Sequence, residues 1–93
     1  MDETWGLVPQ TRLVWHDYGP ETLVYNELSG ATHLVDSATA RLLQLLEQAP
    51  LTTSQLSQRL GAAFQSSHAE IAEWLPETLE QFKRQGLACI INQ

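Results

Sequence analysis

The chain is poor in cysteine, in basic side chains and in long apolar runs, and each shortage removes a class of protein. Cys89 is the only cysteine, so no disulfide can form within the chain, a usage compatible with a reducing compartment. Lys and Arg number 5 against 11 Asp and Glu, a net charge of −6, and that sum repels phosphate backbones. No apolar run approaches the ~20 residues of a membrane span. The opening Met1-Asp2-Glu3-Thr4-Trp5 is acidic and lacks the basic and apolar regions of a secretory signal. A cytoplasmic location is the expectation. With 93 residues and 43% hydrophobic content, residues 1–93 make one globular domain with one modest core.

Catalytic signatures are also missing. The reactive side chains are His16, His33, His68, Asp17, Ser29 and Cys89. No spacing sets a nucleophile beside a base: there is no GxSxG, no cysteine in a family signature and no carboxylate pair between apolar walls. Cys89 in Leu-Ala-Cys-Ile-Ile reads as a small buried thiol. His16 and His33 come near each other across the sheet with Asp36 close by, but without HxxxH or CxxC spacing they read as strand histidines rather than ligands. The expectation is a non-enzyme with no catalytic residue, no metal and no cofactor.

What is present is a clear order of elements. Residues 1–11 have no period and read as an N-terminal arm pinned by Trp5. Arg12–Asp17 and Thr22–Glu27 alternate in polarity around Tyr18-Gly19-Pro20-Glu21, the pattern of an antiparallel hairpin. Leu28-Ser29-Gly30 turns the chain into a third strand, Ala31–Val35. Asp36 then caps a helix over Ser37–Gln48 whose apolar stripe is Ala38, Leu42, Leu45, Leu46 and Ala49. Thr52-x-x-Gln55 is a capping box, with Leu51 and Leu56 as its hydrophobic staple. It opens a short helix of about nine residues ending at Gly61. Ser67-x-x-Glu70 opens the longest helix, to about Gln85, with Ile71, Leu75, Leu79 and Phe82 on one side, Pro76 as an expected kink and Gly86 as the stop. Leu87–Ile91 is a β-prone run that covers or extends the sheet.

Three strands followed by three helices, with a short helix, a turn and a long helix at the end, predict an α+β domain. Its form is winged helix-turn-helix-like, with a three-stranded antiparallel sheet. Nucleic acid is nevertheless not the expected partner. The first turns of the long helix, Ser67-His68-Ala69-Glu70-Ile71-Ala72-Glu73-Trp74, bring carboxylates where recognition helices bring Arg, Lys, Asn or Gln. Projected at 100° per residue, that helix sets Trp74 at the rim of its apolar arc, with Thr78, Gln81 and Gln85 nearby and Glu70, Glu73, Glu77 and Glu80 alongside. The stripe is either core plus a solvated acidic face or one wall of a groove for an apolar, partly basic peptide. The free edge of Ala31–Val35 offers the other wall, because an extended peptide can add to it as a further strand.

The layout, the phrase Val24-Tyr25-x-x-x-Ser29-Gly30-x-Thr32-His33-Leu34-Val35-Asp36 and the Gly86-Leu87 pair resemble the PqqD-like peptide chaperones, the RiPP recognition elements of peptide-modification systems. The SGxTHLxD phrase is most similar to the subgroup of the HPr-rel-A system. The likeness spans about Leu13 to Leu87. It implies a non-enzymatic adaptor that pairs a precursor's leader peptide with the third strand, lays it against the third helix and presents it to a modifying enzyme. In this chain that enzyme would be a protein related to HPr kinase. The peptide-binding positions so implied are Thr32, His33, Leu34 and Val35 on the strand and Ile71, Trp74, Leu75 and Thr78 on the helix. A winged-helix transcriptional regulator and a dimerisation module joined through the same edge are the alternatives.

Overall fold

A computed structural model describes residues 3–65 and 68–91. Six strands and three helices follow in the order β1 (Thr4–Leu7), β2 (Leu13–Tyr18), β3 (Glu21–Asn26), β4 (Thr32–Val35), α1 (Ser37–Gln48), β5 (Leu51–Thr52), α2 (Thr53–Phe64), α3 (His68–Arg84) and β6 (Ala88–Ile90). The class is α+β. A small three-stranded antiparallel sheet runs β2-β3-β4, and a second one runs β5-β1-β6.

The β2-β3-β4 meander follows its sequence closely. Tyr18 pairs with Glu21 across a two-residue loop, and Gly19 has φ +67. Positive φ at the first loop residue with proline at the second suits a hairpin turn whose twist matches its strands. The β3–β4 connection is organised by Asn26, which is fully buried. Its Oδ1 accepts from the Leu28 N–H at 3.0 Å and the Ser29 N–H at 3.4 Å. Its own N–H donates to the Ala31 carbonyl at 2.8 Å, and its carbonyl accepts from the Gly30 N–H at 2.8 Å. One side chain therefore closes a loop whose backbone would otherwise lack partners.

The arm expected over residues 1–11 is instead a strand. Thr4–Leu7 lies between Leu51–Thr52 and Ala88–Ile90, with Trp5 opposite both Leu51 and Ile90. Four residues show too little alternation to register as a strand by period alone, and the partners lie far along the chain. Trp5 is 3% exposed and belongs to the core. The β-prone C-terminal run thus extends a sheet, but not the meander.

Helix α1 starts as expected, with Asp36 Oδ1 accepting from the Thr39 N–H at 2.9 Å. It packs against both β1 and β3. More than one side of it is covered, so Leu43 and Ala40 are buried along with Leu42, Leu45 and Leu46. The box at α2 is formed in both directions: the Gln55 N–H donates to Thr52 Oγ1 at 3.2 Å, and the Thr52 N–H donates to Gln55 Oε1 at 2.9 Å. The helix does not stop at Gly61. It runs to Phe64 and ends on Gln65 at φ 52; a helical glycine costs only about 1 kcal/mol, too little to stop a helix whose Leu56 and Leu60 are fixed in the core, and residues 62–65 stay exposed.

The expected Ser67 cap of α3 lies outside the described residues. The helix continues through Pro76 to Arg84. Pro76 and Ala72 are both exposed, so the carbonyl deprived of its N–H partner stands on the wet side of the helix. At the far end the Leu87 N–H donates to the Phe82 carbonyl at 2.9 Å and the Gly86 N–H to the Lys83 carbonyl at 3.2 Å, with Gly86 at φ +74. These bonds form the glycine-dependent helix stop anticipated at Gly86.

Replacing Asn26 by Ala removes from a buried site the one oxygen that accepts from both the Leu28 and Ser29 N–H groups. The Asn26→Ala variant should lose roughly 1–3 kcal/mol of unfolding free energy in urea. An unchanged denaturation midpoint would show that the loop does not need this side chain.

Candidate functional site

The site is built on the direction of the main-chain groups of β4. In an antiparallel pair, alternate residues turn their N–H and C=O groups toward the partner strand. The Asn26 N–H bonds to the Ala31 carbonyl, and the register continues as Tyr25↔Thr32, Val24↔His33, Leu23↔Leu34 and Thr22↔Val35. Ala31, His33 and Val35 therefore bond inward to β3. Thr32 and Leu34 point their N–H and C=O groups outward, on the side where β4 has no neighbouring strand among the described residues. The C-terminal run does not cover this edge, because β6 is paired with β1.

Side chains alternate with the backbone. His33 stands opposite Val24, a fully buried core residue, and Val35 packs against the core. Thr32 and Leu34 take the opposite face, where Leu34 is 57% exposed. His16 shares that outer face, since it pairs with Leu23, which pairs with Leu34. His16 and His33 thus lie on opposite faces of the sheet. The described residues contain no group of three or more metal-ligating side chains.

A cleft of about 440 Å³ runs beside the open edge. All four strand candidates, Thr32, His33, Leu34 and Val35, line it, together with Asp36 and Thr39 from the start of α1 and Gln81, Phe82, Gln85 and Leu87 from the end of α3. Phe82 and Leu87 are core residues and form an apolar base. Thr32, His33, Thr39, Gln81 and Gln85 supply hydrogen-bonding groups, and Asp36 is the one charged side chain in the lining.

The four helix candidates fall elsewhere. Ile71 and Leu75 are 7% and 1% exposed and lie in the core; Thr78 is 9% exposed and its hydroxyl donates to the Trp74 carbonyl at 2.9 Å. Trp74 is half-buried and lines a separate depression of about 220 Å³ with Ala38, Leu60, Phe64, Glu70 and Ile71. The helix wall facing β4 is therefore the last turns of α3 rather than its first. A helical projection does signal Gln81 and Gln85, which share the stripe of Trp74. It says which side of a helix faces a groove, not which turn; the crossing of α3 over the sheet decides that. Glu73, Glu77 and Glu80 are exposed.

Comparison with protein-family models, with curated proteins and with solved structures found no match. No helix among the described residues is long and apolar enough to cross a membrane.

The alternation along β4 has a direct mutational consequence. Leu34→Pro removes an outward donor and leaves the ladder to β3 intact, whereas His33→Pro removes an inward one. His33→Pro should cost roughly 1–3 kcal/mol more than Leu34→Pro in urea denaturation. Equal costs would mean that the bonding direction along β4 is not the one described.

Proposed function

We propose that the protein is a non-enzymatic peptide-binding adaptor, winged-helix-like in form, that takes a precursor's leader segment as an added strand on β4 and presents it to a modifying enzyme. The observation that carries this reading is the unpaired main chain of Thr32 and Leu34 beside a cleft with an apolar base and polar walls. An edge of this kind grips any extended chain through its backbone, and the pockets beside it choose among side chains. The resemblance of the Ser29–Asp36 phrase to PqqD-like peptide chaperones points the same way, and within the HPr-rel-A subgroup the candidate enzyme is a relative of HPr kinase.

The polarity of the cleft narrows the guest. Alternate residues of the bound strand would face Gln81, Gln85 and Thr39, so polar side chains suit those positions. The next residues would continue the outer face beside Leu34, where apolar ones fit. The helix contacts thus move from Ile71, Leu75 and Thr78 to Gln81, Phe82 and Gln85. Trp74 contributes only if the guest runs on past the start of α1, since Ala38 lines its depression while Asp36 and Thr39 line the cleft.

Titrating a candidate leader peptide while following amide exchange tests the proposal. Exchange at Thr32 and Leu34 should slow on binding, with His33 and Val35 already protected in the free protein. Leu34→Pro should bind roughly ten-fold more weakly, the worth of one main-chain hydrogen bond. Binding that leaves the Thr32 and Leu34 amides unprotected would overturn strand addition. Strongly salt-dependent binding of short DNA with no response to peptides would overturn the adaptor reading as a whole.

A further inference from the structure

The meander has a second free edge. Among the described residues, strand β2 pairs only with β3. The Glu27 N–H donates to the Arg12 carbonyl, so Arg12, Val14, His16 and Tyr18 bond inward, while Leu13, Trp15 and Asp17 turn their N–H and C=O groups out. Among the described residues, no hydrogen bond from elsewhere in the chain reaches those outward groups. The edge is six residues long and contains no Pro, no Lys and no break in register. Those are the usual devices by which sheet proteins keep an edge from pairing.

We infer that β2 is a self-association edge, where two copies join antiparallel about a two-fold axis at Trp15 to make one six-stranded sheet. The outward set Leu13, Trp15 and Asp17 is symmetric about Trp15, so a second copy satisfies it without a change of register. Leu13 then faces the partner's Asp17, and Trp15 faces the partner's Trp15. No like charges are directly opposed. Arg12 stands opposite the partner's Tyr18 on the same outer face at each end of the junction, a cation beside an aromatic ring.

The outer face favours the same partner. Val14, Tyr25 and Leu34 are 38%, 40% and 57% exposed, and Leu23 lies among them in the paired rows Val14–Tyr25–Thr32 and His16–Leu23–Leu34. Joining two copies sets Val14 beside the partner's His16 and merges two small apolar strips into one. The β4 edges end up at the two outer margins of the sheet, so self-association through β2 leaves the proposed peptide edge open. It holds whether or not that peptide reading does.

Sedimentation equilibrium combined with amide exchange at low and high protein concentration tests the inference. The apparent mass should rise from 10.4 kDa toward twice that value. Exchange should slow at Leu13, Trp15 and Asp17 and stay unchanged at Thr32 and Leu34. Asp17→Pro removes one outward donor from each copy, two bonds in the dimer, and should raise the dissociation constant roughly ten- to thirty-fold. Val14→Lys keeps the ladder but brings like charges together at the junction, and should weaken association in a variant whose circular dichroism is unchanged. A monomer at all concentrations, a dimer whose new protection appears at Thr32 and Leu34, or a dimer indifferent to Val14→Lys would each overturn it.

Discussion

The pairing of β1 with both β5 and β6 is the constraint on which the candidate site depends. It takes the chain's most β-prone C-terminal run and commits its main-chain groups to Thr4–Leu7. The Ile91 N–H adds a bond to the Thr4 carbonyl at 2.8 Å, and the Val8 N–H one to the Leu87 carbonyl at 3.1 Å. Trp5 fixes this clasp by burying its indole in the core, a burial worth a few kcal/mol. At Gly6 the Ile91 side chain lies over the strand, and a Cβ there would push its Cδ1 tip aside. Leu87, just before the C-terminal run, lines the cleft beside β4, so pairing with β1 keeps the run from that edge.

An open edge by itself gives little affinity. Two outward residues offer at most four main-chain hydrogen bonds. At about 1 kcal/mol net apiece they reach only the millimolar range. Useful binding therefore requires side chains seated in the cleft formed by the last turns of α3 and the first turn of α1. The same shortness protects the protein, since a four-residue strand is a poor template for uncontrolled pairing.

Local signals in the sequence were read with success wherever the chemistry closes within a few residues. The Asp36 cap, the Thr52–Gln55 box and the Gly86 stop all appear where the side chains demand them, because each satisfies backbone groups that have no alternative partner nearby. The Gly19-Pro20 hairpin likewise sets its register from two residues. The failures share one cause. Thr4–Leu7 becomes a strand only because Leu51–Thr52 and Ala88–Ile90 come to it from far along the chain. Leu43 is buried because α1 meets two sheets rather than one.

The candidate site divides along the same line. The order of residues 29–36 was enough to mark a short strand entering a capped helix; Thr32, His33, Leu34 and Val35 as binding positions came from the family resemblance. Helical periodicity alone placed Gln81 and Gln85 on the same stripe as Trp74. Which turn of α3 would face β4, and whether the C-terminal run would cover the open edge of β4 or pair elsewhere, depended on how the layers cross. That is set by the packing of Phe82, Leu87 and Trp5 into one core, and such packing couples residues whose separation along the chain carries no periodic trace.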